Sequence, residues 1–339
     1  MGRNNTVSVS AVEITCEPSR HSAMKHLLGI FLFLLVSPTS FAQDWGIINV
    51  SVCNTRALAE YGSEQESQAL LGMPVRVLDK SHEWLKVMTP DDYVAWTLAG
   101  SVQRVSREEL TAWNTSPQLV ITALYGTVYS GRSEKSQPVG DVVGGDRLRL
   151  LERRGKYYHV AYPDGREGYV HRNMGMPLEA WRQSVGHDAA SILRTAYSMV
   201  GVPYMWGGTS SKGVDCSGLI RTTLYMHDII IPRNASQQAR KGQRIEIASD
   251  FSNLVPGDLL FFGRKADATH DERVSHVAFY VGDMKFIHSL GFVREGSFRP
   301  TDANYDAYDL GRLLFAARFL PYINQQEGMF TTGQHDYYK

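Results

Sequence analysis

Cys216 stands behind Asp215 in Val214-Asp215-Cys216-Ser217-Gly218-Leu219-Ile220, where the aspartate can cap a helix and leave the thiol in its first turn. Unpaired amides and the helix dipole favour an anion there, so the segment predicts a thiol drawn toward thiolate. For this segment alone, a buried and inert cysteine is the ordinary alternative. His276 opens the strand-like run His276-Val277-Ala278-Phe279-Tyr280-Val281, and His288 follows on the next. If Gly282-Asp283-Met284 forms a three-residue loop, Val281 pairs with Lys285 and position 290 faces His276. His288 then lies on the same face, one diagonal step of roughly 7–8 Å away. A two-residue loop would put the imidazoles on opposite faces. A cysteine and two histidines so placed supply a nucleophile, a base and a group that orients the base.

One cysteine and two histidines could also hold a catalytic zinc with an open position, but none of them sits at the close intervals of zinc ligands. No metal and no organic cofactor is expected. Ahead of the cysteine, Tyr204-Met205-Trp206-Gly207-Gly208-Thr209 pairs glycines that let the backbone approach a ligand. Tyr204 offers a hydroxyl for an oxyanion and Trp206 a flat apolar wall, unless both are ordinary loop aromatics.

The chain that must position these residues has 339 residues, which implies two or three domains. Its formal charge is zero, which leaves no basic field for nucleic acid or an anionic membrane. Leu27 to Val36 is the one long apolar run, with Lys25-His26 before it and Ser37-Pro38-Thr39-Ser40-Phe41-Ala42-Gln43 after it. That arrangement reads as a secretory signal cut after Ala42, too short to span a bilayer. Residues 1–23, ahead of Met24, read as an over-extended start. Of the three cysteines, Cys16 falls in the discarded part, and Cys53 reads as a small buried filler in the strand Ile47 to Cys53.

Between residues 43 and 105, β-rich runs alternate with turns, as in Pro74-Val75-Arg76-Val77-Leu78 and Trp84-Leu85-Lys86-Val87. A similar order returns over 117–175, where Tyr158-His159-Val160 answers Trp84-Leu85-Lys86-Val87. Gly165 to Val170 likewise answers Asp92-Tyr93-Val94-Ala95-Trp96. Two small barrels in tandem account for the repeat. Residues 106–116 link them, with a helical turn started by Ser106 and Glu109. From 176 to 325, helical periodicity at Ala189, Ile192, Leu193, Ala196, Tyr197 and Val200 gives way to strands, which describes an α+β domain. Residues 326–339 read as a polar, frayed tail.

Gly201-Val202-Pro203-Tyr204-Met205-Trp206-Gly207-Gly208, Asp215-Cys216-Ser217-Gly218, Pro232 to Gln238, Pro256 to Phe262 and Ser275 to Gly282 together resemble the NlpC-type cell-wall cysteine peptidases. The resemblance implies a papain-like catalytic domain behind two bacterial SH3-like barrels, as in the γ-D-glutamyl-L-diamino-acid endopeptidases (dipeptidyl-peptidase VI). It implies Cys216 as nucleophile, His276 as base, His288 as orienting residue and Tyr204 as an aid to the oxyanion. Trp206, Asp215, Ser217 and Ser236 would line the substrate cleft. Relatives often carry Asp where this chain has Asn234. The segment Ser63 to Gly72 looks like the subgroup's acid-bearing loop, so Glu64, or failing it Glu66, would bind the substrate's amine together with Tyr93. The implied substrates are murein peptides with a free N-terminal L-alanine, met in the periplasm or cell envelope with no stable membrane insertion. The alternatives are an amidase that frees L-alanine from muramic acid, and a non-catalytic wall-binding protein.

Overall fold

Alternation of buried and outward residues, clearest in β-rich runs such as Val94 to Thr97 with Ala95 and Thr97 inside and Val94 outside, marks strands in the first part of the chain. The computed structural model describes residues 44–339; the expected signal and its cleavage point lie outside them. The first barrel comprises β1 (Asp44–Ile48), β2 (Val52–Arg56), β3 (Gln65–Leu70), β4 (Pro74–Ser81), β5 (Trp84–Met88), β6 (Val94–Leu98) and β7 (Val102–Val105). Helix α1 (Arg107–Thr115) follows, closed by the expected capping box between Ser106 and Glu109. The second barrel comprises β8 (Gln118–Ile121), β9 (Tyr125–Tyr129), β10 (Pro138–Val143), β11 (Arg147–Arg154), β12 (Tyr157–Ala161), β13 (Glu167–His171) and β14 (Gly175–Pro177).

The strand orders are β3-β2-β6-β5-β4-β1-β7 and β10-β9-β13-β12-β11-β8-β14, the same order shifted by seven. The weak repeat in the sequence is therefore a repeat in topology. One expectation fails here. Ile47 to Cys53 is not a single strand but the end of β1 and the start of β2, because the chain turns through Asn49–Ser51. Cys53 is buried and lies 2.9 Å from the Thr97 hydroxyl.

The third region begins with α2 (Leu178–Ser184) and α3 (Ala189–Ser198), then β15 (Thr209–Ser210), β16 (Gly213–Val214) and α4 (Cys216–Tyr225). After β17 (Ile229–Ile230), α5 (Ala235–Gln238) and β18 (Gln243–Ile245) come β19 (Leu259–Arg264), β20 (Arg273–Gly282), β21 (Lys285–Leu290) and β22 (Phe292–Ser297). Helix α6 (Ala307–Gly311), β23 (Leu313–Arg318) and β24 (Phe330–Thr331) complete it. Six strands form one antiparallel sheet in the order β18-β23-β19-β20-β21-β22. Helix α4 packs on it: Leu219, Ile220 and Leu224 share a core with Phe261, Val277, Phe279, Ile287 and Phe315. Each such side chain contributes about 1.5–3 kcal/mol on burial, which fixes the start of α4 against the middle of the sheet. The architecture is α+β behind two all-β barrels. No helix among the described residues is long and apolar enough to cross a membrane.

The tail is ordered rather than frayed. β24 pairs with β17, Tyr337 packs edge-on to Trp45 at 4.9 Å, and the Tyr338 hydroxyl meets that of Tyr225 at 2.9 Å. Its polar composition hid these two aromatic anchors.

The first barrel is fastened to α4 by buried polar contacts. Arg221 of α4 donates from Nε to Asp91 at 2.9 Å and from Nη1 to the Gln68 carbonyl at 3.3 Å. The Gln68 side chain in turn accepts from the Thr209 amide at 2.9 Å. Both members of the Arg221–Asp91 pair are buried, so removing one strands the other's charge. We expect Asp91→Ala to lower the unfolding free energy by about 3–5 kcal/mol in a denaturant titration.

Candidate active site

Asp215 is the N-cap of α4: its Oδ1 accepts from the Gly218 amide at 2.7 Å, which sets Cys216 at the first helical position. The same carboxylate accepts from the Gly207 amide at 3.0 Å and from both Nη atoms of buried Arg233. Arg233 also donates to Ser217 Oγ at 2.9 Å and, from Nε, to Ser67 of the first barrel at 3.1 Å. Glycines are required on both sides of this knot. A Cβ on Gly218 would run into the Gly208 carbonyl, and one on Gly207, at φ +74, would stand 2.6 Å from the Gln65 carbonyl of the first barrel.

The two histidines reach each other by a route different from the one expected. The turn between β20 and β21 has two residues, Asp283 and Met284, both at positive φ, and Gly282 pairs with Lys285. A bulge at Val281 then shifts the register, so that Tyr280 faces Phe286 and Phe279 faces Ile287. Carried along the strands, that register puts position 290 opposite His276. The bulge restores the face that a two-residue turn alone would have reversed. His276 Nε2 lies 3.0 Å from His288 Nδ1, with the rings at 79°.

Behind them stands Asp309 of α6, which the sequence did not single out. Its Oδ2 is 3.2 Å from His288 Nδ1, and its Oδ1 accepts from Arg312 Nε at 2.7 Å. His288 and Asp309 are completely buried. Burial works against the Asp309 carboxylate, but the contacts with His288 and Arg312 outweigh it and hold its pKa down at about 2. His276 is pushed down to about 3, first by burial, then by His288 and by the Arg312 charge against the opposing pull of Asp309. A neutral His276 that donates from Nε2 keeps Nδ1 as a free base.

The thiol corrects the expectation drawn from the helix terminus. Burial pushes Cys216 up to about 11 and the neighbouring Asp215 carboxylate adds to it, while the Ser217 and Val277 amides and Arg233 oppose without prevailing. Both shifts favour the neutral forms of the thiol and the imidazole that share this part of the site.

Cys216 and His276 line a cavity of about 490 Å³. The first barrel lends Glu64, Glu66 and Tyr93 to its wall, and the catalytic region adds Tyr204, Trp206, Asp215, Ser217, Asn234 and Ser236. Every site residue expected from the sequence reaches this cavity except His288, which is buried behind His276. Glu64 accepts from the Trp206 indole at 2.6 Å. Burial and the nearby Glu64 raise the pKa of Glu66, with a Tyr93 hydrogen bond opposing. Burial, with Cys216 and Asp215 as neighbours, raises Tyr204 to about 12, so it is a hydroxyl donor at neutral pH.

Among the described residues, His276, His288 and Asp309 have ligating atoms within 4.8 Å of one another. The 3.0 Å separation of the two ring nitrogens suits a shared proton. The Arg312 guanidinium on the other oxygen of Asp309 sets a positive charge next to any divalent ion held there.

A helix-borne thiol, an imidazole on the facing sheet and a second histidine behind it define a papain-like cysteine peptidase. Residues 201–308 match the NlpC/P60 family, residues 56–100 the bacterial dipeptidyl-peptidase Sh3 domain, and residues 123–174 the bacterial SH3 domain. The chain is 34% identical over 235 residues to a gamma-D-glutamyl-L-lysine dipeptidyl-peptidase of Bacillus cereus, covering 66% of this chain and 67% of that protein. A protein of the same name from Bacillus subtilis is 25% identical over 263 residues, covering 75% and 81%. The crystal structure of an NlpC/P60 family protein from Bacillus cereus superposes with a TM-score of 0.68 at 26% identity, over 82% of this chain and all of that one. The chain belongs to the NlpC/P60 family.

The neutral resting pair has a measurable consequence. The rate of Cys216 alkylation by iodoacetamide should climb steadily from pH 8 to 10 as the thiol ionises toward about 11. A rate already level below pH 7 would instead reveal a thiolate–imidazolium pair.

Proposed function

We propose that this protein hydrolyses the bond between the D-glutamate side chain and the diamino acid of murein peptides that carry a free N-terminal L-alanine. The observation that carries this reading is the first barrel's contribution: Glu64, Glu66 and Tyr93 line the cavity that holds Cys216 and His276. An ammonium group leaves water only where acceptors receive it, and these three supply them beside Asn234. Glu64, held by Trp206, and Glu66, beside Tyr93, share the amine. The names of the Bacillus relatives describe the same bond with lysine as the diamino acid.

In this mechanism His276 takes the Cys216 proton as the sulfur attacks the γ-carbonyl carbon. The oxyanion forms against the first amides of α4 and the Tyr204 hydroxyl. Collapse breaks the C–N bond, the leaving amine takes the proton from His276, and a thioester remains. Water, deprotonated by the same imidazole, then attacks the thioester; the C–S bond breaks, the proton returns from His276 to sulfur, and L-Ala-D-Glu leaves. His288 holds the His276 ring, while Trp206, Ser217 and Ser236 wall the substrate and Asp215 positions the Gly207 turn and Ser217. The protein acts in the periplasm or cell envelope after removal of residues 1–42.

Cys216→Ala and His276→Ala should each abolish release of the diamino acid from L-Ala-γ-D-Glu-diaminopimelate, followed by mass spectrometry, with circular dichroism unchanged. N-acetylation of the alanine should depress cleavage by the wild type by up to roughly 10⁴-fold. Equal cleavage of free and acetylated peptides would move the chain to wall hydrolases that accept a substituted alanine. N-terminal sequencing of the protein recovered from the cell envelope should begin at Gln43.

A further inference from the structure

The cavity has a second flank, supplied by β20, β21 and the α6 region. It is built from Val274, Ser275, Leu290, Tyr308 and Arg312. Arg312 spends its Nε on Asp309, yet its two Nη groups have no hydrogen-bond partner among the described residues, although the side chain is only 19% exposed. Its guanidinium carbon lies 4.7 Å from the centre of the Tyr308 ring and 5.8 Å from that of Phe262. A guanidinium fixed at one edge by a carboxylate and on its face by a ring offers two donors in a set plane. That fork fits a carboxylate and is poorly copied by lysine.

We infer that Arg312 binds the α-carboxylate of the amino acid that leaves, so the enzyme favours peptides that end at the diamino acid. The inference rests on the reaction proposed above, in which the leaving nitrogen and this carboxylate sit on one carbon atom. When His276 protonates that nitrogen, the carboxylate must lie beside His276, and Arg312 is the cation on that side of the cavity. The flank takes a free carboxylate from whichever diamino acid occupies the third position. A chain that continues to D-alanine has an uncharged amide there and leaves the fork unpaired.

Arg312 also steadies Asp309, so a general loss of activity in a variant would not separate the two roles; a preference between substrates does. The measurement is kcat/KM for L-Ala-γ-D-Glu-L-Lys and for its C-terminal carboxamide, with wild type, Arg312→Gln and Arg312→Lys. The wild type should favour the free acid by about 10–100-fold, the range of a charge-assisted hydrogen-bonded pair. Arg312→Gln should erase that ratio whatever it does to both rates, and Arg312→Lys should keep part of it. If Arg312→Gln turns over too slowly, the same ratio is read as peptide binding in a Cys216→Ala background. No wild-type preference, or a preference that survives Arg312→Gln, overturns the inference. A dependence on Arg312 that follows amidation of the D-glutamate α-carboxylate instead also overturns it. A wild type that cleaves neither peptide sinks the proposed reaction itself.

Discussion

The Asp215 carboxylate is the point on which the site hangs. It caps α4, fixes the Gly207 turn and takes both Nη groups of Arg233, whose Nε reaches Ser67 in the first barrel. One buried ion pair therefore sets the height of Cys216 in its helix and the position of Trp206 next to Gly207. It also holds in place the barrel that supplies Glu64, Glu66 and Tyr93. Such a pair is weak evidence for stability, because desolvating two ions consumes most of their attraction. Its return is geometric: each oxygen has more than one donor, so neither partner can move without leaving a buried charge unmatched.

The same burial decides the protonation of the nucleophile. A helix N-terminus is worth roughly 0.3–1 kcal/mol to an exposed anion. The rise of Cys216 from 9.0 to about 11 corresponds to about 3 kcal/mol in the other direction. Burial wins because Asp215, the residue that makes the helix terminus, also brings a negative charge to the thiol. With His276 held at about 3, the pair stays neutral across the intermediate pH range. The lowered His276 pKa also makes the unfolded chain bind the extra proton first. That contribution to stability is complete above about 6.5 and is lost as the pH falls toward 3. A base so reluctant to hold a proton gives it up readily to a leaving amine, and the cost falls on the first transfer from the thiol.

Much of this was legible in the sequence, for local reasons. Helix caps, turn residues and strand alternation act over a few residues, so the starts of α1 at Ser106 and of α4 at Asp215 follow from the residues themselves. The β20–β21 register beyond the turn was also legible, although the reason was not: the bulge at Val281 is invisible in an unbroken apolar run. Strands β18 and β22 were missed, since Gln243–Ile245 and Phe292–Ser297 are too polar to read as sheet. Asp309 and Arg312 were missed because a lone acid and a lone base near a short helix look like solvated surface. Their partner, His288, lies on another element, and only the fold brings the three together.

The two barrels show how little the topology alone decides. They share one strand order, yet the first lines the cavity and the second does not. The second barrel's contacts brace the frame: Arg147 reaches Asp228 and Thr332, and Asp141 receives Lys212 from the loop between β15 and β16. What separates them is the β2–β3 connection with the start of β3, and the β5–β6 turn that carries Tyr93. In the first barrel the β2–β3 connection carries Glu64 toward the Trp206 indole, and Gln65 then donates to the Trp206 carbonyl at 3.2 Å. In the second, the corresponding β9–β10 segment, Ser130 to Gln137, is closed by similar turns but puts no residue into the cavity. Function on this scaffold is written in a loop that the duplicated sheet merely presents, and the loop can serve the thiol only because Gly207 admits the first barrel to within a backbone's contact of the nucleophile's own turn.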